Sequence, residues 1–400
     1  MTATHASIQR ITDQNLEGKT VLVRVDFNLP LKDGKVSDDT RMTRILPGLM
    51  NLRDKGAKLV LLSHFGRPKG QHVPEMSLAP IAAHLSALCG FEVLFTALDE
   101  AANCIEAALQ NDIILLENLR FEAGEEANDT TLARHLAQLG DLYVNDAFSA
   151  SHRAHASTEG ITHHLPPFAG PSLGAELDAL AAALEAPKRP VTALVGGAKI
   201  STKLAVLENI LPKVDHLILG GGMANTFLAA QGVDMAASLV ETAMIEDAKR
   251  IMAEAKAQNT EIILPQDGLA AREFGANVAH RIADNNSLAA DEMVLDIGPV
   301  SVETMSAVIE KSATLLWNGP MGAFEHQPFD QGTNALATAA AQRTKAGQLT
   351  SIAGGGDTVA ALNGAGVSDD FSYLSLAGGA FLEWLEGKEL PALAALSRQA

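Results

Sequence analysis

Short, almost wholly apolar runs alternate along this chain with longer segments whose apolar positions recur at helical spacing. In the first half the apolar runs are TVLVRVDFN (20–28), KLVLLSHFG (58–66), FEVLF (91–95), DIILLENLRF (112–121) and DLYVNDAF (141–148), most of them closing on polar residues. Helical spacing fills residues 41–52, 78–88 and 130–139 between them. Continuous apolar strands separated by helices predict a parallel sheet covered on both faces, which is a doubly wound domain.

The second half repeats the pattern with VTALVGGAK (191–199), HLILGGGMA (216–224), EIILPQDG (261–268), MVLDIGP (293–299), ATLLWNGPMG (313–322) and LTSIAGGG (349–356). Between the halves, residues 166–190 carry proline-rich ends around an alanine- and leucine-rich stretch, which predicts a connecting helix centred on 172–186. The expected organisation is an N-terminal domain over 1–170, a linker helix and hinge over 171–187, a C-terminal domain over 188–386, and a tail over 387–400 returning to the N-terminal domain. Strands of the first half end in Arg, His, Asp and Asn, and those of the second in glycine. Ligands of open α/β sheets gather at the carboxyl ends of the strands. A small anion is therefore expected in the first half and a nucleotide in the second.

Composition narrows the picture. Four hundred residues fit two cores better than one. No apolar run approaches the roughly 20 residues that span a bilayer, and the first residues lack a basic start followed by an apolar core, so a cytoplasmic protein is expected. The net charge of −18 argues against nucleic acid and acidic membrane surfaces as partners, and it means that an anionic ligand needs a local basic pocket. Cys89 and Cys104 form neither a CxxC pair nor a Cys/His array and read as small core residues of a reducing compartment. SHRAHAS (151–157) and THH (162–164) lack a carboxylate or cysteine at ligand spacing, which argues against a histidine metal cluster.

Candidate chemistry follows from the strand ends. RVDFNLP (24–30) closes a strand on Asp26 and Asn28, an acceptor and an amide suited to a hydroxyl; taken alone it reads better as a turn stabilised by the same two side chains, and the strands that follow shift that balance. SHFGRP (63–68) puts His64 and Arg67 after a second strand, ENLRF puts Arg120 after a fourth, and NDAFSASHRAHAS (145–157) puts Arg153 after a fifth. Any one of these arginines reads as a solvated charge. Several at successive strand ends converge, and guanidinium forks suit phosphate and carboxylate. Arg41 opens the first crossover helix and reaches for the same rim, whereas Arg44 reads as a helix-surface charge.

In the second half GGAKISTKL (196–204) supplies two glycines and then Lys199 and Lys203, four apart and expected on one helix face. GxxxxGK[ST] fails here, because Ala198 precedes Lys199 and Ile200 follows it, and no GxGxxG follows the first strand. A plain P-loop ATPase and a nicotinamide dehydrogenase are thereby disfavoured. GGGMANTF (220–227) offers either a flat wall for an aromatic base or glycines for close strand–helix packing. WNGPMGAFE (317–325) carries Asn318 and Glu325, the acid suiting ribose hydroxyls or simply following a turn. SIAGGGDTVAAL (351–362) joins an anion-binding glycine run to a carboxylate, Asp357; a divalent cation between acid and phosphate reconciles the two, and an N-cap role for Asp357 remains the alternative.

Taken together, RVDFNLP, SHFGRPKG, ENLRF, NDAFSASHRAHAS, GGAKISTKL, WNGPMGAFE and GGGDT resemble, in order from residue 20 to the C-terminus, the signature blocks of the phosphoglycerate kinase family. The resemblance implies two Rossmann-like domains facing across a cleft, the first binding 3-phosphoglycerate or 1,3-bisphosphoglycerate and the second ATP or ADP with Mg2+, in a monomer. It further implies that Asp26 and Asn28 contact the glycerate, that His64, Arg67, Arg120 and Arg153 hold its phosphate and neighbouring oxygens, and that Arg41 faces the transferring phosphoryl group. Lys199 and Lys203 would meet the nucleotide phosphates and the moving group, Glu325 the ribose, and Asn318 the phosphates. Gly197, Gly221, Gly222, Gly298, Gly354, Gly355, Gly356 and Thr358 would complete the nucleotide site, with Asp357 on the metal.

Both acceptors of such a transfer are ionised near neutrality, so no general base or nucleophilic side chain is expected. The demand is electrostatic, which assigns Arg41 and Lys203 to the transition state and Lys199 with Mg2+ to the nucleotide phosphates, after closure of the two domains. The chain departs from the family at SLAGGA (375–380), where Leu376 and Ala377 replace Thr and Gly. That change costs roughly 1 kcal/mol if the glycine needs a positive φ. Thr202 stands where many relatives have Asp. The competing classes are a two-lobed binding protein that closes on an anion without chemistry, and a scaffold that keeps the fold but not the reaction. The first predicts an export signal that this chain lacks, and against the second every charged residue required is present.

Overall fold

The computed structural model describes residues 8–398. The chain forms two compact units, one running to Asp178 and taking in the chain again from Glu389, the other Ala179–Lys388. The strands in chain order are β1 (Thr20–Arg24), β2 (Leu31–Lys32), β3 (Lys35–Val36), β4 (Lys58–Leu62), β5 (Leu94–Thr96), β6 (Ile113–Leu116), β7 (Leu142–Asn145) and β8 (Pro167–Ala169) in the first unit. The second holds β9 (Val191–Val195), β10 (His216–Leu219), β11 (Glu261–Ile263), β12 (Asp267–Ala271), β13 (His280–Asp284), β14 (Met293–Ile297), β15 (Thr314–Asn318), β16 (Thr350–Gly354) and β17 (Tyr373–Ser375).

The first unit is built on a parallel six-stranded sheet in the order β5-β6-β4-β1-β7-β8, and β2 pairs with β3 in a small hairpin. Val21, Leu22 and Val23 of β1 and Leu59 to Leu62 of β4 are fully buried whichever face they point to, as strands covered by helices on both sides must be. Those helices include Thr40–Asp54, Ala79–Cys89 and Thr130–Ala137, close to the three segments marked by helical spacing. The second unit has a parallel sheet in the order β11-β10-β9-β15-β16-β17, so the two doubly wound α/β sheets anticipated from the alternation are present.

Two parts of the pattern read differently in three dimensions. MVLDIGP was expected to continue the second parallel sheet; instead β14 pairs antiparallel with β12, in a three-stranded sheet ordered β13-β12-β14. The connection from β12 to β14 runs out and back through the strand β13 and contains no crossover helix to carry the chain round to a parallel position, so β14 meets β12 antiparallel. Phe168, inside the proline-rich stretch before the connecting helix, belongs to the edge strand β8. The connecting helix itself is Pro171–Leu184. Cys89 and Cys104 are free and half-buried.

Candidate functional site

In the first sheet β6, β4, β1 and β7 are consecutive neighbours, and a parallel arrangement puts all their carboxyl ends on one edge. The loops that leave them carry Arg120, His64 and Arg67, Asp26 and Asn28, and Arg153. Hydrogen bonds knit most of these into one rim. Arg41, in the first turn of Thr40–Asp54, donates from Nη1 to Asp26 Oδ2 at 2.9 Å, and Ser149 Oγ donates to the same oxygen at 2.5 Å. Asp26 Oδ1 accepts the Asn28 backbone N–H at 3.2 Å, so the turn and the rim use the two oxygens of one carboxylate. Burial alone would raise the Asp26 pKa; His64, Arg41 and the bonds from Ser149 and Asn28 outweigh it and hold the carboxyl below its ordinary value. Asn28 Oδ1 accepts from Gly66 N at 3.0 Å, and Arg120 Nη1 donates to Gly66 O at 2.7 Å, tying three loops together. Arg153 Nε donates to His152 Nε2 at 3.1 Å. Arg67 is exposed beside Gly66 and makes no hydrogen bond to any described residue.

Beneath the rim lies a buried layer that the sequence reading did not single out. Arg24, the last residue of β1, is 1% exposed; its guanidinium donates from Nε to Ser157 Oγ at 2.9 Å, from Nη1 to Val25 O, and from Nη2 to His64 Nδ1 at 3.1 Å. Ser157 passes the contact to the fully buried Glu125, donating from Oγ to Oε1 at 2.5 Å and from its backbone N to Oε2 at 3.0 Å. Asn118 pins the loop after β6 to the loop after β4 through the Phe65 N–H and carbonyl. A charge at the end of an otherwise apolar strand was a legible signal for Arg24, since buried arginines are paired. Glu125, in the charged run GEEAND (124–129), offered none.

In the second unit the loops after β9, β15 and β16 hold the glycines and lysines. Gly196 sits so close to Pro320 that a Cβ would overlap the Pro320 carbonyl oxygen, and Gly197 has φ +142°. Lys199 and Lys203 do not share a helix face, contrary to their spacing: the helix begins at Leu204 and Lys203 is its N-cap residue. Residues 200–203 are instead turned by the bond from Lys203 N to Ile200 O at 2.8 Å and anchored by Glu241, which accepts from Ser201 N at 3.1 Å and Ser201 Oγ at 2.6 Å. Lys199 is exposed. Lys203 is largely enclosed, and its Nζ donates to the backbone oxygen of Asn318 at 3.2 Å and to its side-chain oxygen. Burial lowers the Lys203 ammonium to about 8, with the nearby Asp357 carboxylate opposing the shift.

Asn318 and Thr358 lace β15 to β16. Asn318 Nδ2 and Thr358 Oγ1 both donate to Gly354 O, at 2.8 and 2.9 Å, while Thr358 Oγ1 accepts from Gly319 N at 2.7 Å. Gly355, with φ +104°, is the N-cap residue of the helix Gly356–Gly364. Asp357 is therefore not the cap: it is exposed in the first turn, and its carboxylate makes no hydrogen bond to a described residue. Beside this edge is a cavity of about 520 Å³, bordered by Gly197, Gly221, Gly222, Glu325 and Asp357. Gly221 and Gly222 serve close packing as well, since Cβ atoms there would strike the carbonyl oxygens of Gly197 and Ala198 at 2.6 and 2.7 Å. Gly298 does not border the cavity; it is the N-cap residue of the helix Pro299–Lys311 and bonds through its N–H to Asp267 O. Ala377 has φ −94°, so the glycine that it replaces in the family pattern is not required here for backbone conformation.

The phosphoglycerate kinase family model matches residues 11–388. Phosphoglycerate kinases from Methylorubrum extorquens and Rhizobium leguminosarum bv. trifolii are 57% and 56% identical over 387 and 391 residues. The alignments cover 96% of this chain in both cases and 97% and 96% of the relatives. The solved structure of phosphoglycerate kinase from Coxiella burnetii superimposes with a TM-score of 0.92 at 41% identity, covering 98% of this chain and 100% of that one.

Proposed function

The chain belongs to the phosphoglycerate kinase family, and on that premise we propose how its two units divide the work. The chain is a phosphotransferase of glycolysis, moving a phosphoryl group reversibly between 1,3-bisphosphoglycerate with ADP and 3-phosphoglycerate with ATP. In our reading the rim of the first unit takes the phosphoglycerate: Asp26 and Asn28 meet the glycerate, His64, Arg67, Arg120 and Arg153 hold its phosphate and carboxylate oxygens, and Arg41 faces the group in transit. The cavity of the second unit takes the nucleotide, with Gly221 and Gly222 along the base, Glu325 at the ribose, and Asn318, Lys199, Lys203 and the 354–358 segment at the phosphates.

Both oxygens that exchange the phosphoryl group are anionic near neutrality, so these residues are asked to gather and shield charge rather than to move a proton. Mg2+, when bound, neutralises phosphate charge. Asp357 suits it, because its carboxylate makes no hydrogen bond to a described residue and Mg2+ is commonly held by one or two carboxylates together with substrate phosphates. Among the described residues no group of three or more His, Cys, Asp or Glu could form an all-protein cage. Lys203 and Arg41 then stabilise the charge spread over the transferring group, in line, after the units close about 171–187 and exclude water. Among the described residues no helix is long and apolar enough to cross a membrane, and we take the chain to act as a cytoplasmic monomer; a stable dimer by light scattering would overturn the second point.

What supports the reading most is that the four adjacent strands β6, β4, β1 and β7 are each followed by a loop bearing one of the proposed ligands. Turnover with ATP, Mg2+ and 3-phosphoglycerate, coupled to removal of the acyl phosphate, tests it beside Arg41→Ala. Among the described residues Arg41 hydrogen-bonds only to Asp26 and the Asn28 carbonyl, so the fold should survive. Loss of a transition-state donor predicts a fall in kcat of roughly 10²–10³ with nucleotide binding retained. Turnover within threefold of the parent would remove Arg41 from the mechanism, and a parent without turnover would leave a scaffold.

A further inference from the structure

We propose that Arg24 is a positioning residue that holds His64 as a neutral imidazole protonated on Nε2, presenting one N–H donor to an acceptor oxygen of the bound anion. The argument starts from what a guanidinium can do. Arginine has five N–H donors and no acceptor, so at the 3.1 Å contact between Arg24 Nη2 and His64 Nδ1 the imidazole nitrogen must be the acceptor. A proton on Nδ1 would set donor against donor. The one ring proton is then on Nε2, which has no hydrogen-bond partner among the described residues.

Arg24 is fixed independently of any ligand. It is buried, it ends a central strand whose register sets it opposite Leu62 of β4 and Asn145 of β7, and Nε and Nη1 donate to Ser157 and Val25. Its charge is balanced by Glu125 through Ser157, so the pair costs the fold less than a lone buried cation would. The charged and titratable groups that face His64 come from every neighbouring loop: Arg24 and Asp26 from the β1 end, Arg120 after β6 and His155 after β7. Burial first, then Arg24, Arg120 and His155, push its pKa well below 6.5, against the pull of Asp26. His155 is itself lowered to about 4, chiefly by burial and then by the arginines, so it adds no charge at neutral pH. The physical consequence is a rim whose positive charge comes from arginines alone, with a histidine contributing direction and not charge. His64 then adds no pH-dependent charge to the rim across the range in which an ordinary histidine titrates.

Long-range 1H–15N spectra of the ligand-free protein read this directly, with the His64 signals assigned by their loss in His64→Gln. The expected result is an Nε2–H tautomer with no titration between pH 5.5 and 8; a midpoint near 6.5, or an Nδ1–H tautomer, overturns the proposal. Arg24→Met alone strands the Glu125 carboxylate, so the variant to compare is the double Arg24→Met/Glu125→Gln. In it the His64 midpoint should rise by at least one pH unit. KM for 3-phosphoglycerate should become several-fold lower at pH 5.5 than at 7.5, relative to the parent, with kcat little changed. An unmoved midpoint and a pH-independent KM in a folded double variant would assign His64's state to burial and dismiss Arg24. The choice of 3-phosphoglycerate rests on the proposed function, whereas the spectra need no substrate, so the two readings can fail separately.

Discussion

Lys203 offers a test in which activity and stability respond in opposite directions to the same proton. Its ammonium is lowered from 10.5 to about 8 because it is buried, with only Asp357 pulling the other way. At about 1.36 kcal/mol per pH unit, carrying the charged form costs the folded state on the order of 3 kcal/mol. The unfolded chain keeps the proton up to 10.5 and the folded chain releases it near 8. Between those values the unfolded state binds more protons, and stability must rise with pH. The cost is fully present below about 8 and fully relieved above 10.5. The same deprotonation removes a cation proposed to face the moving phosphoryl group, so kcat/KM for ATP should fall tenfold per pH unit above about 8. The assay is kcat/KM from pH 6.5 to 9.5 at saturating Mg2+ and 3-phosphoglycerate, paired with urea unfolding at pH 7.5 and 9.5. Both tryptophans, Trp317 and Trp384, lie in the second unit, so their fluorescence follows the unit that contains Lys203. Lys203→Met should lose activity throughout and lack the stability gain at high pH. A parent whose kcat/KM is flat to pH 9.5, or a Met variant whose stability tracks the parent between the two pH values, would refute the argument.

Three further substitutions separate backbone constraint from ligand chemistry. Gly196→Ala drives a Cβ into a backbone oxygen that cannot swing away, and should destabilise the second unit by more than about 2 kcal/mol in the fluorescence-monitored transition. Gly356→Ala meets open space at the first residue of a helix and should instead raise stability by a fraction of about 1 kcal/mol, so an equal loss at both sites would contradict the packing account. Ala377→Gly, which restores the family residue, should leave turnover unchanged and cost roughly 0.4–1 kcal/mol, because φ there is −94°; a several-fold gain in turnover would mean that the loop needs glycine for another reason.

Much of this is legible in the chain alone, and the residues show why. Apolar runs such as KLVLL and DIILL admit only a strand buried on both faces, and helical spacing between them forces parallel pairing. Parallel pairing in turn commits every polar strand end to one edge, which is how His64, Arg120 and Asp26 could be grouped from their positions alone. The same reasoning failed at Lys199 and Lys203, where spacing of four suggested a helix face but a carboxylate forty residues away, Glu241, holds the segment as a turn. It failed again at MVLDIGP, since periodicity records that a strand is apolar and not which neighbour it pairs with.

The sequence by itself determined the fold class, the edge of each sheet on which ligands gather, and the types of charge found there, because strand burial and helix periodicity are local properties of the chain. Only the tertiary structure decided that β6, β4, β1 and β7 are neighbours, that Arg24 is sunk beneath His64, and that Glu125 balances it through Ser157. Those outcomes depend on contacts between residues 30 to more than 100 positions apart. Such contacts form when whole elements pack and polar groups must find partners away from water, and no local pattern of residues encodes them.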